Sequence, residues 1–179
     1  MPRMGGARER AAVTLRKGNP MAVLTIVIQW LHVLLGIFWF GSILYVDTIL
    51  LPSLDTLPLI EQQKIGGLLG PRTSRVLLPV GLTVVLIGFL RGTVFGRLHS
   101  LDAVFGSAYG ITWLIALLLG IGLILWGLVV LVPRAEALNT AKSPEAYGEI
   151  VTQLKVLTLI ELTGFVAIFT CMILMRFGL

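Results

Sequence analysis

Four apolar runs dominate this chain. They cover about residues 21–51, 76–95, 111–132 and 156–175. Each is long enough for a bilayer crossing, and the first is longer than one requires, since a helix needs about 20 mostly apolar residues to cross a hydrocarbon core about 30 Å thick. The runs are continuous rather than alternating, which argues for helices and against the strands of a membrane barrel. The expected fold is therefore all-α and integral to the membrane, a bundle of four transmembrane helices. Residues 1–20 form a basic cytoplasmic tail, and 21–179 form a single membrane domain.

Composition supports this reading. Charged residues are only 13% of the chain, against 56% hydrophobic. A soluble domain carries about 25% charge. The net charge of +5 does not mark a nucleic-acid binder, because the basic residues gather at the ends of the apolar runs, where they meet anionic headgroups. The partner they imply is the lipid bilayer, not nucleic acid. The single cysteine, Cys171, excludes an internal disulfide and a cysteine-based zinc site.

Basic residues also set the expected topology. The tail holds Arg3, Arg8, Arg10, Arg16 and Lys17. With both termini in the cytoplasm, Arg91, Arg97 and Arg176 join them, giving eight basic residues inside against six outside. The first run is too long for a secretory leader and lacks a small-residue cleavage pattern, so it reads as a retained anchor. The two longer connections, about 52–75 and 133–155, then lie outside. Pro52, Pro58, Pro71, Pro133 and Pro144 punctuate them. Short amphipathic helices over about 59–69 and 144–154 are expected on that outer face.

The ionisable residues inside the runs are the candidates for chemistry, because charge in hydrocarbon is costly and is kept for a reason. On a helical wheel Thr25, Gln29, His32, Gly36, Trp39 and Asp47 fall within one arc of about 80°. Such a stripe faces the bundle, since lipid offers it no partners. Gly36 removes bulk one turn from His32, so a flat group can approach. A neutral imidazole there suits a haem iron or copper. Hydrogen bonding of His32 and Gln29 to neighbouring helices explains the stripe as well.

Glu161, in the outer part of the fourth run, is a candidate proton or ion relay, or else a structural hydrogen bond into the bundle. Lys155 and Thr158 are its expected neighbours. Arg91 and the following Arg97 and His99 suit haem propionates or lipid phosphates. His99 lies beyond the boundary and cannot share an iron with His32, since two axial nitrogens stand only about 4 Å apart. Met172 lies nearer in depth and is a candidate second axial ligand. Cys171 with Met172 and Met175 forms an alternative soft copper site, or simple packing. Gly88, Gly92 and Gly96 at four-residue spacing permit close helix packing. No phosphate loop, Cys-x-x-Cys or metalloprotease helix is present.

The segment WLHVLLGIFWFGSILYVDTILLP resembles the first helix of two related bacterial groups, the copper resistance protein D family and the membrane-bound haem-binding protoporphyrinogen oxidases. The shared pattern is His, six residues, Trp, any residue, Gly, here His32, Trp39 and Gly41, followed by Tyr45. The resemblance covers about 20 residues. It implies a small helical bundle in the bacterial cytoplasmic (inner) membrane, with His32 as a haem or metal ligand. The chain departs from the oxidase pattern after Tyr45, where Val46, Asp47 and Thr48 replace a Pro-Arg, and it has no lysine in the third run. The expectation is thus a haem b protein with a redox or electron-transfer role, alone or as a subunit of a larger membrane complex. The alternatives are a non-catalytic structural subunit and a copper or small-solute transport protein.

Overall fold

The computed structural model describes residues 20–178; the basic cluster from Arg3 to Lys17 lies outside the described residues. Among the described residues seven α-helices follow one another: α1 (Pro20–Tyr45), α2 (Leu51–Leu54), α3 (Leu59–Gly92), α4 (Leu101–Phe105), α5 (Ala108–Trp126), α6 (Val132–Leu138) and α7 (Pro144–Arg176). A π-helical turn, Val46–Leu50, joins α1 to α2, and another, Gly127–Leu131, joins α5 to α6. The result is four long rods, Pro20–Leu54, Leu59–Gly92, Ala108–Leu138 and Pro144–Arg176, each long and apolar enough to cross a membrane.

The prolines account for the two π-turns. A proline inside a helix has no N–H and its ring presses on the carbonyl four residues earlier. Pro52 and Pro133 each fall just after a π-turn. Widening the helix there removes the clash without ending the rod. Serines set three helix starts: Ser100, Ser107 and Ser143 accept from the N–H of Ala103, Gly110 and Ala146 at 3.2, 3.0 and 3.3 Å.

The rods outrun the membrane. At about 1.5 Å per residue a 34-residue helix such as α3 is about 51 Å long, while the hydrocarbon is about 30 Å. The stretches 59–69 and 144–154 are helical, but they are not separate amphipathic helices in the loops. Each forms the opening turns of α3 or α7. The helix runs on through both Pro71 and Pro79. Likewise the second span ends at Gly92, before the expected 95.

α1 begins, and α7 ends, at one end of the bundle, called here the terminal end. The two long connections lie at the other, the loop end. α1 packs mainly on α3, and α7 on α5. The core between them is Trp39, Ile43, Val84, Leu123 and Phe165. Trp39 meets Phe165 edge-on, with ring centroids 4.9 Å apart. Most other large apolar side chains point outward, as lipid-facing helices require.

The loop end is tied together by polar bonds. Gln63 donates to the carbonyls of Leu138 and Ala141 at 3.3 and 2.8 Å. Arg134 donates to Gln153 Oε1 at 2.6 Å, and Lys155 pairs with Asp55 at 3.1 Å. These bonds link all four rods beyond the hydrocarbon.

Candidate functional site

The polar stripe of α1 faces the bundle, and it divides into two sites. The first lies toward the terminal end. His32 is buried, and its Nδ1 stands 3.1 Å from the Val84 carbonyl on α3. A carbonyl only accepts, so in the neutral ring the proton sits on Nδ1 and Nε2 carries the lone pair. The Cε1 edge of the ring abuts Gly88, where even a Cβ would stand 3.0 Å from it. Gln29 Oε1 accepts from Arg91 Nε at 2.9 Å, and Arg91 Nη1 donates to the Phe95 carbonyl at 3.2 Å. The Arg91 charge reaches the imidazole. Trp113 Nε1, from α5, donates to the Gly88 carbonyl at 3.3 Å.

Three glycines of α3 make this possible. Trp39 sits on Gly81, His32 on Gly88 and Trp113 on Gly92. Of the glycines spaced for close helix approach, Gly88 and Gly92 instead seat rings, and a nitrogen of each of those rings stands at hydrogen-bond distance from a backbone carbonyl. Of the expected site residues, the structure brings His32, Gln29 and Arg91 together. Trp39 belongs to the apolar core. Gly36 stands beside open space, with nothing within 4 Å of a Cβ built there. Met172 is half-buried on α7. The Trp39–Phe165 and Phe40–Phe169 ring pairs fix the antiparallel register of α1 against α7. That register sets Met172 at the level of His32. Cys171 is buried beside it. Among the described residues no three His, Cys, Asp or Glu side chains gather into a metal-binding group.

The second site lies toward the loop end and is acidic. Glu161 on α7 is 5% exposed, and the charge of Asp47 reaches it from α1. Asp47 lies in the π-turn ahead of Pro52 and is half-buried. Thr158, one turn before Glu161, stands beside the Asp47 carboxylate, while its hydroxyl donates to Leu154 at 2.9 Å. Asp47 Oδ2 is buried without a hydrogen-bond partner. No hydrogen bond joins the Glu161 carboxyl to another described side chain. Lys155, expected as its cationic neighbour, turns to Asp55 instead.

Glu161 was legible as an intramembrane charge. Asp47 was legible as a member of the stripe, close to the end of the first apolar run. Its partnership with Glu161 depends on the α1–α7 register, which no sequence pattern carries. The signal that points to it is the nearby Pro52, because π-turns recur at functional sites.

Fold and site define a class: a multi-pass α-helical membrane protein with four spans and two polar sites between them. No family model, curated protein or solved structure matches the chain.

Proposed function

We propose that this protein takes up protons at the loop side of the bilayer through the Asp47–Glu161 pair, as the proton-handling part of a membrane transport process. One observation carries the reading: the α1–α7 register brings Asp47 and Glu161 to one level within electrostatic reach of each other, and neither forms an ion pair with a cation among the described residues. Two such groups at close range do not both remain ionised in a low-dielectric interior. A proton held between them removes the repulsion and supplies the missing hydrogen bond. Their depths suit uptake. Asp47 is half-buried, whereas Glu161 is almost fully enclosed. Below them Trp39 and Phe165 form an apolar barrier, so the proton returns by its entry path unless those rings move. With both termini in the cytoplasm of a bacterial inner membrane, as the basic residues favour, the pair opens to the outer side.

Infrared titration of the full chain in liposomes tests this reading. A protonated-carboxyl band is expected in the wild type; it should disappear in Glu161→Gln and shift in Asp47→Asn, where burial alone still favours the neutral acid. Persistence of the band in Glu161→Gln, or its absence from the wild type, would overturn the reading.

A second reading is haem b held by His32, with a redox role, alone or as a subunit of a larger complex. Its support is the Val84 carbonyl on Nδ1, an arrangement that orients a metal-binding imidazole through its other nitrogen. The open space at Gly36 and Met172 at the same level fit a flat group between α1 and α7. Haem would supply one-electron chemistry. The protein's part is to hold the ring tautomer and to exclude water. Arg91 would serve it through electrostatics, since two of its donors are already engaged. Oxidised and dithionite-reduced visible spectra test it. A Soret band that shifts on reduction and is lost in His32→Ala is expected, while a colourless protein expressed with ample haem counts against it.

A further inference from the structure

A groove of about 660 Å³ opens laterally between α3 and α1 with the π-turn that follows it, and its lining includes neither Asp47 nor Glu161. Its wall is largely apolar, with Ile37, Phe38, Val76 and Leu77. Gly41 lies in its floor, and a Cβ there would meet nothing within 4 Å. Its polar members are Ser42, Tyr45, Arg72 and Thr73. The volume falls in the range of ligand pockets, about 300–1,000 Å³, yet the opening faces lipid rather than water.

Depth and charge identify what fills it. Arg72 stands 20 residues before Gly92 on α3, or about 30 Å along the axis, which is one hydrocarbon thickness. Gly92 marks the terminal-end boundary of that helix, so Arg72 stands at the headgroup level of the opposite leaflet. Arg75, one turn on, is exposed at nearly the same level. The only ion pair among the described residues is Lys155 with Asp55, so neither arginine has an acidic partner there. The antiparallel register set by Trp39 on Gly81 and His32 on Gly88 puts Tyr45 at this same level. The groove therefore has a cationic, hydrogen-bonding end at the headgroups and an apolar length running toward the bilayer middle.

We propose that this groove binds an anionic phospholipid of the loop-side leaflet, its phosphate on Arg72 and one acyl chain along Gly41. A chain in the groove covers apolar surface that neighbouring helices leave open. Arginine suits the headgroup because its planar fork matches phosphate oxygens bidentately.

The test uses the full chain in nanodiscs holding equal amounts of phosphatidylglycerol and phosphatidylcholine, followed by native mass spectrometry of the lipid retained on release. Wild type should retain phosphatidylglycerol with a preference of about fivefold, the size expected for one basic residue at an anionic membrane surface. Arg72→Gln should retain lipid but lose the preference. Gly41→Leu places a side chain in the groove from a position where a Cβ meets nothing within 4 Å, and it should lose the retained lipid of both kinds, with an unchanged melting profile as the check on folding. Equal retention of both lipids by wild type would overturn the proposal. So would a preference that survives Arg72→Gln, or retention that survives Gly41→Leu. Because neither variant touches Asp47 or Glu161, this result is independent of the proton reading.

Discussion

The two polar sites of this bundle share a helix, α1, yet they are built on opposite principles. At the terminal end His32, Gln29, Arg91 and Trp113 each have a partner at hydrogen-bond distance. At the loop end Asp47 Oδ2 has none, and Glu161 faces another carboxylate. Satisfied buried polar groups hold helices together, and removing one strands its partner. Unsatisfied ones weaken a fold and persist where they perform chemistry. The terminal-end site is therefore expected to behave as structure and the loop-end site as function. Mutation should separate them by the sign of the stability change as well as by its size.

The largest effect is expected where the terminal-end site has no slack. A side chain at Gly92 would collide with the Trp113 indole. Overpacking of this kind costs about 1–3 kcal/mol, and Gly92→Leu should lie near the upper limit because the ring is held by its bond to Gly88. Thermal melting in micelles reads this as a lowered midpoint. A midpoint within error of wild type would mean that α5 moves freely against α3, and the comparison would lose its rigid half.

Next comes His32→Ala. It removes a buried ring from its seat on Gly88 and the bond to the Val84 carbonyl. The loss should be about 2 kcal/mol, combining a cavity with a forfeited hydrogen bond. His32→Gln keeps a donor and should recover part of it. If both variants melt like wild type, the imidazole is not a structural tie, and the haem reading gains by default.

Much of this architecture was open to reading from the sequence. Hydrophobic runs report helices directly, because the bilayer demands length and apolarity and little else. The stripe through Gln29, His32 and Trp39 told which face of α1 looks inward. Two things were hidden. The fusion of 59–69 and 144–154 with the spans was one, since an amphipathic opening turn looks the same whether or not a break follows it. Pro71 reinforced the expectation of a break, yet α3 runs through it. The pairing of Asp47 with Glu161 was the other. It joins residues far apart in the chain through the register of α1 on α7, which Trp39, Phe40, Phe165 and Phe169 set by packing. Periodicity within one helix says nothing about registry between two.

The loop-end site supplies the opposite sign. Replacing a buried charge by a neutral or apolar group is often neutral or stabilising, by about 1–4 kcal/mol. Glu161→Leu removes one carboxylate from the facing pair and should raise the melting midpoint while abolishing the protonated-carboxyl band. A lowered midpoint would show that Glu161 is a structural bond like His32, and the contrast between the sites would fail.

The smallest effect belongs to Gly36, and it bears on what the terminal-end site is for. Gly36 and Gly88 lie on facing helices within a turn or so of the same imidazole, but only Gly88 is filled by it. Glycine inside a helix costs about 0.5–1 kcal/mol relative to alanine. Gly36→Ala, with open space to receive the methyl group, should therefore stabilise the protein slightly. Gly88→Ala must push the His32 ring aside and should do the reverse. Nothing in the packing of α1 calls for a glycine at position 36. If Gly36→Ala raises the midpoint of the protein as isolated and leaves its visible spectrum unchanged, the gap is idle and the terminal-end site is a helix tie. Loss of a chromophore on adding that single methyl group, with the fold intact, would instead mean that the gap is kept for a flat group lying against His32.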